Sequence, residues 1–286
     1  MSAMPEMYEI SRICDYLKEN QLLNILIKSV TVSEKGHNIL KNSTAKEFQK
    51  FLVGNKIIKI SQHAKFIIFR MNQGILLIHL RFTGLPKLRG IPIDNNVVPI
   101  HNLPVFEKDS DQIRLSIHFE NQKILDYFDT RRLSHIKIYP NLNSVSEIPE
   151  LKKMAPDLDQ FSPFSTKDFQ IFKEKNMDIK VFLLDQRFSP SGIGNFLACE
   201  ILFDAKLNPW KKLSELTQRE ISALNLGIKT VKEKAKNSVS YEWLNVYKRS
   251  ECSICKSKIE RKNHTQTRSS RSTYFCPTCQ SNRFLG

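Results

Sequence analysis

Apolar side chains at Ile10, Ile13, Cys14 and Leu17 recur at i, i+3, i+4 and i+7, the spacing of one helix face, and predict a helix over 5–19. After Leu22 the pattern changes to short runs rich in β-branched and aromatic residues, at 25–32, 56–60, 65–70, 75–80, 113–119 and 123–128. Ile113, Leu115, Ile117 and Phe119 alternate with other residues, so that strand buries one face. Turn residues at Asn72-Gln73-Gly74 and Asn121-Gln122 mark hairpins. Short strands in succession, with no helix read between them, predict an antiparallel sandwich or barrel.

From Pro140 to Pro163 the chain is polar and punctuated by proline, which reads as a linker. Beyond it the period becomes helical, over 166–175, 179–184, 195–205, 216–236 and 241–247. The expected organisation is α+β and multidomain. A helix plus antiparallel β-sandwich occupies 1–140, a linker 141–163, a helical domain 164–250 and a metal-stapled segment 251–286.

Composition narrows the partners. The 286 residues carry 44 Lys and Arg against 29 Asp and Glu, a formal charge of +15, which favours polyanions. From Cys252 onward the bases Lys256, Lys258, Arg261, Lys262, Arg268, Arg271 and Arg283 face the single acid Glu260. A segment so short and basic needs something to pin it. No run is long and apolar enough to cross a bilayer, and the N-terminus lacks a secretory pattern, so no membrane partner is expected. The expected location is intracellular and reducing, in nucleus or cytoplasm, wherever the genome is. Cys14 and Cys199, alone in helical segments, read as buried reduced thiols.

The strongest local signal is C-x2-C-x20-C-x2-C, formed by Cys252, Cys255, Cys276 and Cys279. Each pair offers two thiolates from one tight turn, and two pairs complete a tetrahedral site for a structural Zn2+. The alternative is four free thiols on a basic tail. Zinc would supply folding energy that about 30 residues cannot draw from their own core. Arg268, Arg271, Ser272 and Thr273, between the pairs, are of types that contact phosphates. A second signal, Gly192-Ile193-Gly194-Asn195 opening a helix, offers free N–H groups to an anion, though glycine pairs at helix starts are common.

Several segments together resemble one family. Leu183-Leu184-Asp185-Gln186-Arg187, then Gly192 to Asn195, then Glu200-Ile201-Leu202-Phe203-Asp204-Ala205, resemble the helix–two-turn–helix motif of the formamidopyrimidine-DNA glycosylase/endonuclease VIII family. The run from Arg271 to Gln280 is similar to that family's zinc-finger ending, and Met4-Pro5-Glu6 with Glu9-Ile10 to its catalytic N-terminus. His63-Ala64-Lys65, Ile78-His79-Leu80 with Thr83-Gly84, and Asp129-Thr130-Arg131-Arg132 fall in the family's order. The spacing around Pro5 and the run 183–187 look closer to the endonuclease VIII branch.

The resemblance implies a helix–two-turn–helix domain, a β-hairpin zinc finger and a monomer that binds damaged DNA, double- or single-stranded. It also implies a base-excision-repair enzyme, both glycosylase and AP lyase by β,δ-elimination, removing oxidised bases and pyrimidines first. Pro5 would attack C1′ as a free secondary amine and form an iminium. Glu6 would protonate the sugar ring oxygen and shuttle protons, and Lys65 would contact phosphate and assist elimination. Asn195 and Arg271 would clamp phosphates beside the flipped nucleotide. Phe82 and Arg131 fall where the family inserts side chains into the vacated stack; Arg132 joins the DNA-binding set, and Leu133 is a third wedge candidate.

Each residue also has a plainer reading. Pro5 and Glu6 fit the first-position proline and first-turn acid of a helix. Lys65 fits a solvated charge, and Phe82 a core residue. Departures from the family pattern are Tyr8 and Thr130, both prolines in the family, and above all Met1-Ser2-Ala3 ahead of Met4. An internal proline nitrogen is a tertiary amide and forms no iminium. The expectation is a start at Met4; with Pro5 blocked, the chain would be a non-catalytic binder of damaged or abasic DNA. A ribosome- or RNA-associated protein is the third reading, since helix–two-turn–helix elements occur there too.

Overall fold

The computed structural model describes residues 5–93, 110–170, 172, 176–264 and 271–281, in two compact units divided between Lys153 and Met154. Met1-Ser2-Ala3, Met4, Arg268 and Arg283 lie outside the described residues.

The first unit begins with helix α1, Met7–Glu19, whose apolar face carries Ile10, Ile13, Cys14 and Leu17 as its spacing predicts. Among the described residues eight strands follow: β1 Ile27–Val32, β2 Ile57–His63, β3 Phe66–Met71, β4 Ile75–His79, β5 Gly84–Leu88, β6 Ile113–Phe119, β7 Ile124–Asp129 and β8 His135–Tyr139. They form two four-stranded antiparallel sheets, ordered β1-β6-β7-β5 and β2-β3-β4-β8. One core joins the sheets to the helices: Ile27 and Leu125 from one, Ile67 and Phe69 from the other, Leu17 from α1. α1 also packs on β2, where the Cys14 Sγ lies 3.6 Å from the Ser61 carbonyl and burial pushes the thiol up to about 12.

Two differences from expectation have local causes. Helix α2, Ala45–Leu52, interrupts the strand series; Thr44 accepts the Glu47 N–H at 3.2 Å while the Glu47 carboxylate receives the Thr44 N–H at 2.8 Å. β5 contains Pro86, tolerated because among the described residues β5 is an edge strand of its sheet. The stretch 141–163 is not bare linker either. It holds short turns at Val145–Glu147 and Leu158–Gln160, with Ile148, Leu151 and Leu158 buried.

The second unit contains helices α3 Thr166–Gln170, α4 Ile179–Leu184, α5 Asn195–Asp204 and α6 Gln218–Asn237, then the hairpin β9 Glu260–His264 with β10 Arg271–Phe275. α5 is apolar nearly all round and is buried from Phe196 to Phe203. The predicted helix at 241–247 does not form. The backbone N–H groups of Asn245, Val246 and Tyr247 donate instead to the buried Glu200 carboxylate at 2.7–2.9 Å, which replaces the helical carbonyls as acceptor. Burial raises the Glu200 pKa, and those hydrogen bonds oppose the rise.

Candidate nucleic-acid interface and metal centre

At the start of α1, Glu6 is the N-cap in extended conformation (φ −106°, ψ −179°), and its N–H donates to Glu9 Oε2 at 2.7 Å. Pro5 therefore precedes the cap rather than filling the first helical position, which sets aside the plainer reading of that proline. Glu6 and Glu9 are both buried. The two carboxylates close a capping box at the helix N-terminus, where the positive end of the helix dipole favours negative charge.

Lys65 lies in the two-residue turn between β2 and β3, where His63 pairs with Phe66 and Ala64 turns the chain at φ +50°. It is half-buried, and its charge helps depress a nearby imidazole. That imidazole is His79, held down to about 3 by burial first, then by Arg81, Lys65 and His135. Its Nδ1 accepts the Arg81 N–H at 3.1 Å, so at neutral pH the proton sits on Nε2. His135 lies opposite His79 across β4 and β8, with ring centroids 6.4 Å apart, and is lowered to about 4 by burial and then Arg81. The sequence pattern marked His79 only as part of a motif and did not single out His135.

The turns after β4 and β7 lie side by side because Gly84 pairs with Asp129. They bring two predicted wedge residues together: the Arg131 guanidinium carbon is 4.7 Å from the centre of the Phe82 ring. Phe82 is half-buried, not core; Arg131, Arg132 and Leu133 are exposed. Gly84 admits no side chain, since a Cβ there would fall 2.2 Å from Ser134 Oγ and 2.3 Å from the Tyr127 hydroxyl.

In the second unit, Gln186 stitches the turn before α5. Its Oε1 accepts the Gly192 N–H at 2.7 Å and its Nε2 donates to the Ile193 carbonyl at 2.9 Å, with Gly192 at φ +101°. Asn195 opens α5, and its Nδ2 donates to the Ser272 carbonyl at 2.9 Å, next in sequence to Arg271. The fully buried Lys180 of α4 reaches the same place, donating to Thr273 Oγ1 at 2.7 Å and to the Ser272 carbonyl at 3.3 Å. Two elements of the helical unit thus hold β10 where it begins. Thr273, expected to face phosphate, is instead wholly buried on Lys180, a correction that follows from the hairpin's alternation. Ser272 Oγ accepts from Arg261 at 2.8 Å. Neither role of Lys180 nor of Thr273 was legible in local sequence.

The thiols of Cys252, Cys255, Cys276 and Cys279 lie within 4.8 Å of one another. Sulfurs about 3.8 Å apart are what a tetrahedral ion with about 2.3 Å bonds to sulfur requires. The Cys252–Cys279 separation is 3.9 Å and the Cys255–Cys276 separation 3.4 Å, so the donor set fits such an ion. The Cys279 N–H also points at Cys276 Sγ, 3.3 Å away. Gln280 closes the second turn: its Oε1 accepts the Cys276 N–H and its Nε2 donates to the Leu207 carbonyl, both at 2.9 Å. Hairpin packing continues in the His264 ring, stacked 5.4 Å from Trp210, whose edge meets Phe275 at 4.9 Å.

Two family models match the chain: the formamidopyrimidine-DNA glycosylase N-terminal domain over residues 4–136, and the formamidopyrimidine-DNA glycosylase H2TH domain over 154–241. A curated formamidopyrimidine-DNA glycosylase of Ureaplasma parvum is 32% identical, over 97% of this chain and 100% of that protein. The chain belongs to the formamidopyrimidine-DNA glycosylase/endonuclease VIII family. The enzyme of the same name from Desulforamulus reducens is 30% identical over 97% of this chain and 99% of its own length. The fold is that of the Lactococcus lactis formamidopyrimidine-DNA glycosylase, solved non-covalently bound to DNA containing an AP site. The TM-score is 0.77 at 23% identity, covering 97% of this chain and 100% of that one. A second structure of that protein, with Fapy-dG-containing DNA, gives a TM-score of 0.76, covering 96% and 100%. As a family member the chain is a DNA glycosylase. No helix among the described residues is long and apolar enough to cross a membrane.

Proposed function

We propose that the chain excises oxidised bases from DNA and then cleaves at the resulting abasic site, with Pro5 as nucleophile. The observation that carries this reading is the start of α1: Pro5 lies just ahead of the cap, beside the buried Glu6. Freed at its nitrogen, Pro5 attacks C1′ and the base departs, leaving an iminium that makes the neighbouring C–H acidic. Glu6 moves protons at the sugar ring oxygen and the departing base, and Lys65 contacts phosphate beside the lesion. Asn195 and Arg271 clamp the backbone, while Phe82, Arg131 and Arg132 engage the strand around the flipped nucleotide. Zn2+ is the ion the four cysteines would hold. It would fix the hairpin that carries Arg271 and supply no chemistry of its own.

Ring-opened purines and AP sites lead the substrate set, favoured by the relatives' name and by the DNA in the Lactococcus lactis complexes. The spacing around Pro5 favours oxidised pyrimidines as a second class. A panel of Fapy-dG, an oxidised pyrimidine, 8-oxoguanine and AP sites, compared by kcat/KM, ranks them.

Borohydride tests the mechanism. Protein whose N-terminus is verified by mass spectrometry as Pro5 is expected to yield a covalent DNA adduct, and no adduct from such protein sinks the reading. A mature chain beginning at Ser2 or Ala3 that binds lesion DNA without cutting supports the non-catalytic binder instead.

A further inference from the structure

The contact between Phe82 and Arg131 rests on more than its own attraction. A guanidinium over a half-buried ring contributes less than the ordering of two loops costs. Beneath the pair lies the fully buried Asp129 carboxylate, which joins both turns. Asp129 Oδ1 accepts the Thr83 hydroxyl at 2.5 Å, from the turn that carries Phe82, and Oδ2 accepts the Ser134 N–H at 2.9 Å, from the turn that carries Arg131. The Thr83 Oγ1 in turn accepts the N–H of Arg131 itself at 3.1 Å. Ser134 Oγ donates to the Leu80 carbonyl at 3.1 Å and accepts the Tyr127 hydroxyl at 2.8 Å, closing the network against the sheet. Both turns contain a residue in the left-handed region, Arg81 at φ +58° and Arg132 at φ +55°. Such backbone needs surrounding contacts to hold it.

We propose that Thr83 and Asp129 form a clasp that holds Phe82 and Arg131 as one preassembled wedge, so that the two side chains enter the DNA stack together. The proposal rests on the reading of these residues as DNA wedges and adds how they are positioned. Thr83 and Asp129 touch no base in this account; they act through the turns. Preassembly removes the entropic cost of ordering the two side chains separately on binding.

The test uses a duplex with a tetrahydrofuran abasic analogue and 2-aminopurine on the opposite strand, whose emission rises when its stacking is broken. Thr83→Val keeps the shape and removes the hydroxyl; Thr83→Ser keeps the hydroxyl. Saturating wild-type protein is expected to raise the emission. Thr83→Val should lose at least half that rise and bind the duplex about three- to tenfold more weakly, the weight of one hydrogen bond, with its thermal midpoint near wild type. Thr83→Ser should restore both. Independently of whether Thr83→Val folds, Phe82→Ala and Arg131→Ala should be non-additive in lesion affinity in the otherwise wild-type chain. Full emission from folded Thr83→Val, or strictly additive single changes, overturns the clasp while the wedge reading stands. No rise with wild type overturns both.

Discussion

The Lys180 ammonium lies 2.7 Å from the Thr273 hydroxyl, fully buried, and so ties helix α4 to strand β10 near Arg271. Removing such a donor strands its acceptors, at a cost of about 1–3 kcal/mol. Lys180→Ala is therefore expected to weaken lesion-DNA binding about tenfold with the metal content of the finger unchanged. Filter binding with metal analysis on the same sample checks this; full affinity would show that β10 does not need the lysine.

Metal removal separates the finger's two contributions. Cys276→Ser should lose the ion and DNA binding together. Arg271→Ala should keep one ion per chain and lose affinity, with a salt dependence of log Kd shallower by about one phosphate contact. Untouched affinity and activity in Arg271→Ala would remove the hairpin from the clamp.

Glu6→Gln keeps the size of the side chain and the cap while removing the titrating proton. Single-turnover base release should fall by about 100-fold or more, with binding to an abasic analogue retained. Base release within a factor of about two of wild type would move the acid elsewhere.

The two imidazoles at the end of β4 and the start of β8 make the first unit acid-sensitive. Native pKa values of about 3 for His79 and about 4 for His135 lie below the ordinary value near 6.5. The unfolded chain then binds more protons, so this stability is complete above about pH 6.5 and is lost as pH falls through about 4 for His135 and about 3 for His79. Urea unfolding across that window should show the fall, and His135→Gln should flatten it. An unchanged slope would mean that other groups govern it.

Much of the architecture was legible because its signals are local. The α1 face and the four cysteines need only spacing, and each appears as read. β6 forms where its alternation placed it, but it does not bury one face alone: Arg114 and Ser116 are buried too, by hydrogen bonds to Asp129 and Asp126 that the alternation could not show, and Ile113 is only half-buried. α2 was equally local in its Thr44–Glu47 cap, but eight residues with only Phe48 and Leu52 buried leave a faint period. β5 was hidden because Gly84 and Pro86 read as breakers, and only sheet order shows that it is an edge. Residues 241–247 failed for the opposite reason. Tyr241, Leu244 and Tyr247 mimic a helical face, while the acceptor that takes their neighbours' amides, Glu200, lies more than forty positions away. In the candidate site the same division holds. Motif residues could be named from sequence, whereas the long-range pairings that orient them, Thr83 with Asp129, Lys180 with Thr273 and Gln280 with Leu207, join positions far apart in the chain.

Gly84 sets different rules for neighbouring positions of the two turns. A single methyl group there would drive the strands apart, and Ser134 and Tyr127 leave it nowhere to go. The tips at Phe82, Arg131 and Leu133 meet no such limit, because their backbone is held from below. Variation can therefore accumulate at the tips one side chain at a time without refolding the base that carries them. A library that tests the proposed wedge has those three positions to vary while Gly84 stays fixed.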